Sequence, residues 1–385
     1  MINFLNDYNS PGHPDVLRAV AEAACRKYPG YGADAETERA KQKIVSMLGA
    51  RELPPDRVHF LAGGTQTNLT AIGAFLRPHE AVVAPGAAHI QVHETGAIEA
   101  VGHRVLTARP ADCSGSAGDC PEGAVQHSPH SPRSQHSPHR YDTGKLGAGA
   151  VAEICEAHSG EHMVKPRLAY ISQSTELGGV YTASELAGLR AACDKYGLYL
   201  YMDGARLGAA LVSGGYSATA YTPGGSAATL PDIAACCDAF YIGGTKNGLM
   251  FGEALVITNP SLAEDFRYFQ KQRGGLLAKG FLLGLQFDAI FTGDLYFKLA
   301  AHANEMAGAL RSGLEALGCG FLVDSRTNQI FPIINTRAAG ALAGGFLFET
   351  WDRDYNGQTV IRLVTSWNTA PSEVEAFLSA YKKHR

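Results

Sequence analysis

Lys246 stands in an unusual setting for a lysine. The segment FYIGGTKNG, residues 240–248, reads as the end of a buried strand, two glycines, the lysine and a further glycine. Burial lowers the pKa of a lysine, and a lysine with a lowered pKa can form a Schiff base. The glycines would leave room for a flat ring to lie close to the backbone. The alternative is a solvated loop lysine, which describes most lysines in proteins.

Asp203 ends the apolar segment LYLYMD, residues 198–203, and a glycine follows it. In open α/β sheets, ligands bind outside the carboxyl ends of the strands, and this is where Asp203 would lie. Aspartate is also favoured as a helix N-cap. A catalytic carboxylate and an N-cap are therefore about equally good interpretations of this residue taken alone.

A third candidate is the segment FLAGGTQTNLTAI, residues 60–72. A strand ends, two glycines turn the chain, and a helix begins near Thr65, so that bare N–H groups form an anion site suited to a phosphate. The segment matches neither the Walker pattern nor GxGxxG, which disfavours a nucleoside triphosphate or NAD. An ordinary strand–helix turn is the alternative.

Together the three segments describe one ligand. A phosphate anchor, a carboxylate for a pyridinium nitrogen and a lysine able to form a Schiff base are the minimal set for binding pyridoxal 5'-phosphate (PLP). Their order along the chain, at the ends of successive strands, favours the same ligand.

The elements that must position these residues alternate between strand and helix, which predicts an α/β fold with a mainly parallel sheet. The alternation is interrupted at about 111–141 by a polar, low-complexity segment that predicts a disordered surface insertion. Long helices appear after about residue 260. We therefore predict a large domain with an N-terminal arm at 1–258 and a smaller C-terminal α/β domain at 259–385.

The composition is that of a globular protein of 385 residues, with a net charge of -4 that gives no sign of a nucleic-acid or acidic-membrane partner. We find no bilayer-spanning apolar run and no signal peptide. The 8 cysteines show no CxxC spacing. We therefore expect reduced thiols, a cytoplasmic location and no metal site.

From INFLNDY to IRLVTSWN the sequence resembles the low-specificity threonine aldolases, in the threonine aldolase/β-eliminating lyase branch of the fold-type-I PLP enzymes. DGARLG and AHIQVHETGA carry the resemblance most specifically, and GGTKNG, GEALV and RGGLLAKG resemble one subgroup. The resemblance implies the PLP-dependent transferase fold of type I. It also implies a small amino acid as substrate, and a homodimer or homotetramer with active sites at the subunit interface.

The resemblance also assigns roles. For the cofactor, Lys246 would hold PLP, Asp203 would pair with its pyridine nitrogen, Gly64 and Thr65 would bind its phosphate, and His89 would stack over the ring. Tyr31 and Lys279 would reach the phosphate of a neighbouring subunit. For the substrate, Arg206 and Arg362 would bind the carboxylate with help from Asn6, and His89 would act as the base. Glu94 matches an acidic residue of the family, and its role stays open.

Two of these residues have plain structural alternatives. His89 would otherwise be a strand-end histidine packed for its shape, and Arg362 a member of a cross-strand surface pair. The sequence also departs from the family at Thr175, where many members carry a second histidine linked to the substrate hydroxyl. That departure leaves the diastereomer preference open.

The implied reaction is the retro-aldol cleavage of L-threonine or L-allo-threonine to glycine and acetaldehyde. The first alternative is a β-eliminating lyase, or another aldolase acting on a β-hydroxy-α-amino acid, and an aminotransferase comes after it. Fold and cofactor do not separate these activities. A different class of hypothesis is a binding protein, in which the four histidines of HSPHSPRSQHSPHR, residues 127–140, hold a metal or a partner. We favour a solvated loop for that segment.

Overall fold

The computed structural model describes residues 1–49, 53–108, 143–215, 227–353 and 357–385. The polar segment predicted at about 111–141, with its four histidines, lies outside the described residues. Within the described part of the chain, no helix is both long and apolar enough to cross a membrane.

The helices are α1 (Pro14–Glu22), α2 (Ala35–Met47), α3 (Gly64–Phe75), α4 (His89–Val92), α5 (Ala97–Ala100), α6 (Ala148–Ala157), α7 (Ala183–Tyr196), α8 (Leu207–Leu211), α9 (Leu230–Cys236), α10 (Pro260–Ala263), α11 (Phe266–Gln272), α12 (Phe281–Ile290), α13 (Leu295–Ala316), α14 (Thr336–Leu342) and α15 (Pro371–His384). The strands are β1 (Ile2–Asn3), β2 (Val58–Leu61), β3 (Glu80–Pro85), β4 (Val105–Ala108), β5 (Lys165–Ser172), β6 (Tyr199–Asp203), β7 (Ala239–Gly243), β8 (Glu253–Ile257), β9 (Gly320–Phe321), β10 (Gln329–Ile330), β11 (Pro332–Asn335), β12 (Phe346–Leu347), β13 (Glu349–Arg353) and β14 (Gln358–Val364).

A seven-stranded sheet forms the centre of the molecule, with the strand order β2-β8-β7-β6-β5-β3-β4. Strand β8 is antiparallel to both of its neighbours, and the other strands run parallel to one another. Helices cover both faces, so the inner strands are long apolar runs and not alternating sequences. The predicted α/β class with a mainly parallel sheet is confirmed.

Two hydrophobic clusters lie on opposite faces of this sheet, and successive residues of each strand alternate between them. On β6, Leu200 and Met202 belong to the first cluster and Tyr201 to the second. Tyr170 on β5 and Tyr241 on β7 also belong to the second cluster, which packs against α3. Asp203 lies two residues beyond Tyr201, so the alternation places its carboxylate on this tyrosine-rich face.

The C-terminal half contains a smaller antiparallel sheet, in which β14 pairs with β10, β11 and β13, and β9 pairs with β11. Strand β1 adds to this half by pairing in parallel with β12. Phe4 follows β1 and is buried in the cluster formed by α13, α14, α15 and the small sheet. Helix α12, in contrast, packs within the first cluster of the large sheet. The division into 1–258 and 259–385 stays a prediction.

Candidate active site

Asp203 ends β6 with its carboxylate surrounded by hydrogen-bond donors. Oδ2 accepts from the Tyr170 hydroxyl at 2.6 Å and from Asn68 Nδ2 at 3.0 Å. Oδ1 accepts from the Tyr241 hydroxyl and from the Ala205 amide. Burial raises the pKa of Asp203, but the charge of His89 and these hydrogen bonds outweigh burial and hold the pKa below its ordinary value. Asp203 is therefore a buried carboxylate kept in its ionised form.

A chain of hydrogen bonds connects Asp203 to His89. The Asn68 amide on α3 donates to Asp203 and, at 2.8 Å, to Glu94 Oε1. The same Glu94 oxygen lies 2.7 Å from His89 Nδ1. His89 also donates its backbone N–H to Glu176. The side chain of His89 is about one third exposed, so its ring is held on one side and open on the other.

Lys246 lies in the turn between β7 and β8, close to the charges of Arg206, Asp7, Asp203 and Glu253. Burial and the charge of Arg206 lower the pKa of Lys246. Among the described residues the Lys246 amine has no hydrogen-bond partner. A lysine with a lowered pKa and an unengaged amine is suited to nucleophilic attack on a carbonyl carbon.

Glu253, at the start of β8, fixes the turn that carries Lys246. Its carboxylate accepts from the Thr245 hydroxyl at 2.8 Å and from the Gly244 amide at 3.2 Å. The Thr245 hydroxyl in turn accepts from the Gly252 amide. Burial raises the pKa of Glu253 to about 8, although the charge of Lys246 acts in the opposite direction.

The glycines around Lys246 serve a purpose different from the one expected. A Cβ atom on Gly243 would lie 2.6 Å from the carbonyl oxygens of Gly204 and Ala205, and one on Gly244 would lie 2.8 Å from the Gly252 oxygen. These glycines face the protein's own backbone, not open space for a flat ring. They allow the end of β7 to pack directly against the turn that follows Asp203.

Arg206 forms a buried, two-pronged ion pair with Asp7. Nε lies 2.7 Å from Asp7 Oδ2, and Nη2 lies 3.0 Å from Oδ1. Asn328 also donates to Asp7, which therefore joins the N-terminal arm, the large sheet and the C-terminal half. The second arginine, Arg362, pairs with another carboxylate: its Nη2 lies 2.5 Å from Glu349 Oε2.

Arg362, on β14, combines this ion pair with an unused donor. Its guanidinium lies 5.3 Å from the centre of the Trp351 ring, and its buried Nε has no hydrogen-bond partner among the described residues. Burial and the charge of Arg206 lower the pKa of Arg362. The two arginines are therefore close enough to affect each other's charge, as a shared carboxylate site requires. Arg362 is also a member of a cross-strand pair, which was the structural alternative considered for it, since Glu349 lies opposite Arg362 on β13.

Gly64 and Thr65 form the first turn of α3, where backbone N–H groups have no partner within the helix. A Cβ on Gly64 would lie 3.1 Å from the Tyr241 hydroxyl, which binds Asp203, so this helix end borders the site. Asn6 is half-buried in the arm, one residue before Asp7.

Tyr31 and Lys279 form a separate, exposed group. The Tyr31 amide donates to the Ala278 carbonyl, one residue before Lys279. Within the described residues, neither side chain forms a hydrogen bond or ion pair with the group around Lys246. The structure thus brings these two together and leaves the proposed contact with a neighbouring subunit untested.

Thr175 does not replace the second histidine of the family. Its side chain is buried, and its hydroxyl donates to the Thr143 carbonyl and accepts from the Gly179 amide. It is fully engaged in shaping its own loop and is not available to a substrate hydroxyl.

Sequence reasoning missed four residues that the fold adds to the site: Asp7, Asn68, Glu253 and Glu349. Each is a polar residue that the fold buries or pairs at long range in sequence. The only sequence signal was weak: Glu253 is a charged residue at the start of an otherwise apolar strand. His93 is a fifth, because its ring centre lies 5.4 Å from that of His89.

Residues 3–336 match the family described as Beta-eliminating lyase. The chain is 29% identical over 370 residues to a protein named low specificity L-threonine aldolase from Pseudomonas aeruginosa, covering 95% of this chain and 93% of that one. It is 29% identical over 375 residues to a protein of the same name from a Pseudomonas species, covering 96% and 94%.

Among solved structures, the chain resembles a threonine aldolase of Leishmania major with a TM-score of 0.86 and 40% identity, covering 100% of this chain and 99% of that one. An aspartate aminotransferase of Thermus thermophilus has a TM-score of 0.66 at 13% identity, covering 100% and 92%, and supports the fold alone. These matches confirm fold type I. The chain therefore belongs to the beta-eliminating lyase family, in its threonine aldolase branch.

Proposed function

We propose that this protein is a PLP-dependent aldolase that cleaves L-threonine and L-allo-threonine to glycine and acetaldehyde. The observation that carries the proposal is the arrangement of Lys246, Asp203 and His89 around the carboxyl end of β6. An unengaged lysine, an ionised carboxylate and a histidine that is about one third exposed meet there, in a chain of the threonine aldolase branch.

The residues present fit PLP. Asp203 is ionised and buried, which suits a protonated ring nitrogen, and the first turn of α3 offers N–H groups to a phosphate. In the part of the chain that the structure describes, Glu94 Oε2 and Arg362 Nε are buried polar atoms without partners, as expected where a ligand completes the site. When bound, PLP supplies the electron sink for the pair released as the Cα–Cβ bond breaks.

The side chains of this protein then have distinct tasks. Lys246 has a lowered pKa, so a larger fraction of its amine is uncharged and able to bind the cofactor covalently. Asp203 holds a proton on the ring nitrogen. Arg206 and Arg362, helped by Asn6 in the arm, orient the substrate carboxylate and thereby the bond to be broken.

His89 is the base that we propose for the β-hydroxyl proton. Its Nδ1 is bonded to Glu94, so the proton-accepting nitrogen is Nε2, on the open side of the ring. Because Thr175 is engaged in its own loop, His89 carries this task without the second histidine that many relatives have.

A β-eliminating lyase is the second candidate, and the family match supports it. It would bind the amino acid with the same residues but remove the Cα proton and expel a β-substituent. The products distinguish the two activities, because elimination from threonine yields 2-oxobutanoate and ammonia.

We also propose a homodimer or homotetramer with active sites at the subunit interface. The exposure of Tyr31 and Lys279 supports it, since a 44% exposed tyrosine beside an exposed lysine suits contact with a second copy. Six free cysteines in the described residues support the cytoplasmic location.

Proton NMR of the PLP-loaded protein with each threonine isomer tests the activity. We expect glycine and acetaldehyde to appear in equal amounts and to be lost in K246A. The control is K383A, a matched substitution of an exposed lysine on α15. Production of 2-oxobutanoate would move the assignment to elimination, and no product with either isomer would contradict the proposed substrate.

A further inference from the structure

Asn68 lies between two buried carboxylates and bonds to both. Its Nδ2 is 3.0 Å from Asp203 Oδ2 and 2.8 Å from Glu94 Oε1. The Asn68 side chain is fully buried on α3, one turn after the helix end proposed for the phosphate. One amide therefore gives one hydrogen to each of two negative groups.

The orientation of this amide is fixed. The Tyr201 hydroxyl donates to Asn68 Oδ1 at 3.0 Å. If the amide were rotated, its oxygen would face the two carboxylate oxygens at the same short distances, which is repulsive. Asn68 is therefore held with its oxygen toward Tyr201 and its NH₂ group toward Glu94 and Asp203.

Glu94 extends the connection to His89. Its Oε1 accepts from Asn68 and lies 2.7 Å from His89 Nδ1, while its Oε2 is buried and has no partner within the described segments. The path from the histidine ring to Asp203 is thus unbroken. Because asparagine is neutral, it satisfies both carboxylates without neutralising either of them.

We propose that Asn68 is a positioning residue that ties the imidazole of His89 to the carboxylate of Asp203 through Glu94, so that the protonation of one changes the proton affinity of the other. The inference rests on the proposed function, since it takes His89 as the acid–base group and Asp203 as the partner of the ring nitrogen. In this arrangement, the charge needed on Asp203 also sets the basicity of His89.

Several other groups surround the same path and contribute to its titration. They are Tyr170 on β5, Tyr201 on β6, Tyr241 on β7, Glu176 after β5, His93 after α4, Lys246 in the β7–β8 turn and Glu253 on β8. The three tyrosines stay protonated, because burial raises their pKa values well above the ordinary range. The remaining groups are the same in every variant below, and the neutral N68L removes the Asn68 donor without adding a charge.

The test measures two titrations in PLP-loaded protein. The first follows the NMR resonance of His89 against pH in ¹³C-histidine-labelled protein, with the resonance assigned by its loss in H89N. The second gives the pH midpoint of the PLP absorbance. N68D keeps the size of the side chain but has a proton to donate only at low pH. We expect it to raise the His89 midpoint by about one pH unit, because Glu94 loses a donor and the new carboxylate adds a negative charge near the imidazolium. T70V is the matched control on α3, since the Thr70 hydroxyl is buried and no described residue hydrogen-bonds to it.

A double-mutant cycle separates this path from attraction through space. D203N should lower the His89 midpoint in the wild-type background, because it removes a nearby negative charge. In the N68L background, the shift of the His89 midpoint caused by D203N should be less than half of the shift in the wild-type background. An undiminished effect in N68L, or no shift in N68D, would overturn the proposal.

Neither readout requires turnover. A protein that fails to cleave threonine but shows the coupled midpoints would contradict the proposed substrate and leave this inference supported.

Discussion

Each arginine proposed for the substrate carboxylate already has an internal carboxylate partner. Arg206 pairs with Asp7 in a buried ion pair, and Arg362 pairs with the more exposed Glu349. A buried pair holds both partners in one geometry, whereas an exposed pair exchanges readily with solvent or with a ligand. The two arginines should therefore respond differently to substitution.

Removing one partner of the buried pair should be costly. R206A leaves the Asp7 charge buried without its main partner, and we expect a loss of about 3–5 kcal/mol in the free energy of unfolding. D7A should have a similar effect. The double variant D7A/R206A should cost clearly less than the sum of the two, as measured by urea unfolding. Simple additivity would show that the pair contributes no coupling.

Glu349 should compete with the substrate for Arg362. E349Q removes the competing charge, so we expect KM for threonine to fall about three-fold with little change in kcat. Steady-state kinetics at two salt concentrations measure this, because added salt screens the competition in the wild type and should reduce the difference. A raised KM would mean that Glu349 itself contacts the substrate.

Glu253 should make stability depend on pH. Its folded-state pKa of about 8 lies above the ordinary 4.5, so the folded state holds this proton more tightly than the unfolded state does. The resulting stability is present at pH 4.5 and below and is lost as pH rises towards 8. In cofactor-free protein, we expect the free energy of unfolding to fall by roughly 1–3 kcal/mol more in the wild type than in E253Q between pH 5 and 8. Parallel curves would contradict a raised pKa.

How much of the site could be predicted depends on how each residue enters it. Asp203 ends an apolar strand and Lys246 lies in the short turn after another, so the local sequence places them at the sheet edge. Asp7, Asn68 and Glu349 are unremarkable in their local sequence and gain their partners only from tertiary packing. A single sequence does not contain those distances, and polar residues of this kind are therefore missed.

The β7–β8 hairpin is the element that presents Lys246. Strand–helix alternation predicted both strands, but not that β8 runs antiparallel to its neighbours, because periodicity gives the type of an element and not its direction. The interpretation of the glycines as room for a flat ring was wrong, because Gly243 and Gly244 face backbone carbonyl oxygens. Their role depends on how closely β7 approaches the turn after Asp203.

A methyl group at Gly243 should disrupt this hairpin. G243A would place Cβ 2.6 Å from two carbonyl oxygens, and backbone cannot move aside as a side chain can. We expect a loss of roughly 3 kcal/mol or more in the free energy of unfolding, with weaker PLP binding. The control is G188A in the exposed middle of α7, where a Cβ has open space, and it should stabilise by about 0.5–1 kcal/mol. Equal effects of the two substitutions would contradict this account.

At the scale of the whole molecule, the N-terminal arm connects the two halves. Strand β1 pairs with β12, Phe4 is buried in the C-terminal cluster, and Asp7 binds both Arg206 and Asn328. The site is therefore built by segments far apart in the sequence. Local patterns predicted the two halves but not this connection.

Loosening the arm should affect both stability and substrate binding. F4A removes a fully buried ring whose centre lies 5.6 Å from that of the Phe377 ring. We expect a loss of about 3–5 kcal/mol in the free energy of unfolding. KM for threonine should also rise, because Asp7 and Asn6 follow on the same segment. L5A, at a neighbouring side chain that is 37% exposed, should change both quantities little. A destabilised F4A with unchanged KM would show that the arm does not position the site.

The pairing of Ile2 with Phe346 also has a consequence for biosynthesis. Ile2 and Asn3 are translated before the central sheet, yet their partners Phe346 and Leu347 follow more than three hundred residues later, after that sheet. Contacts of such long sequence separation form late in folding. The arm, and with it Asp7, therefore reaches its final position late, and a nascent chain that already contains the whole large sheet is still catalytically incomplete.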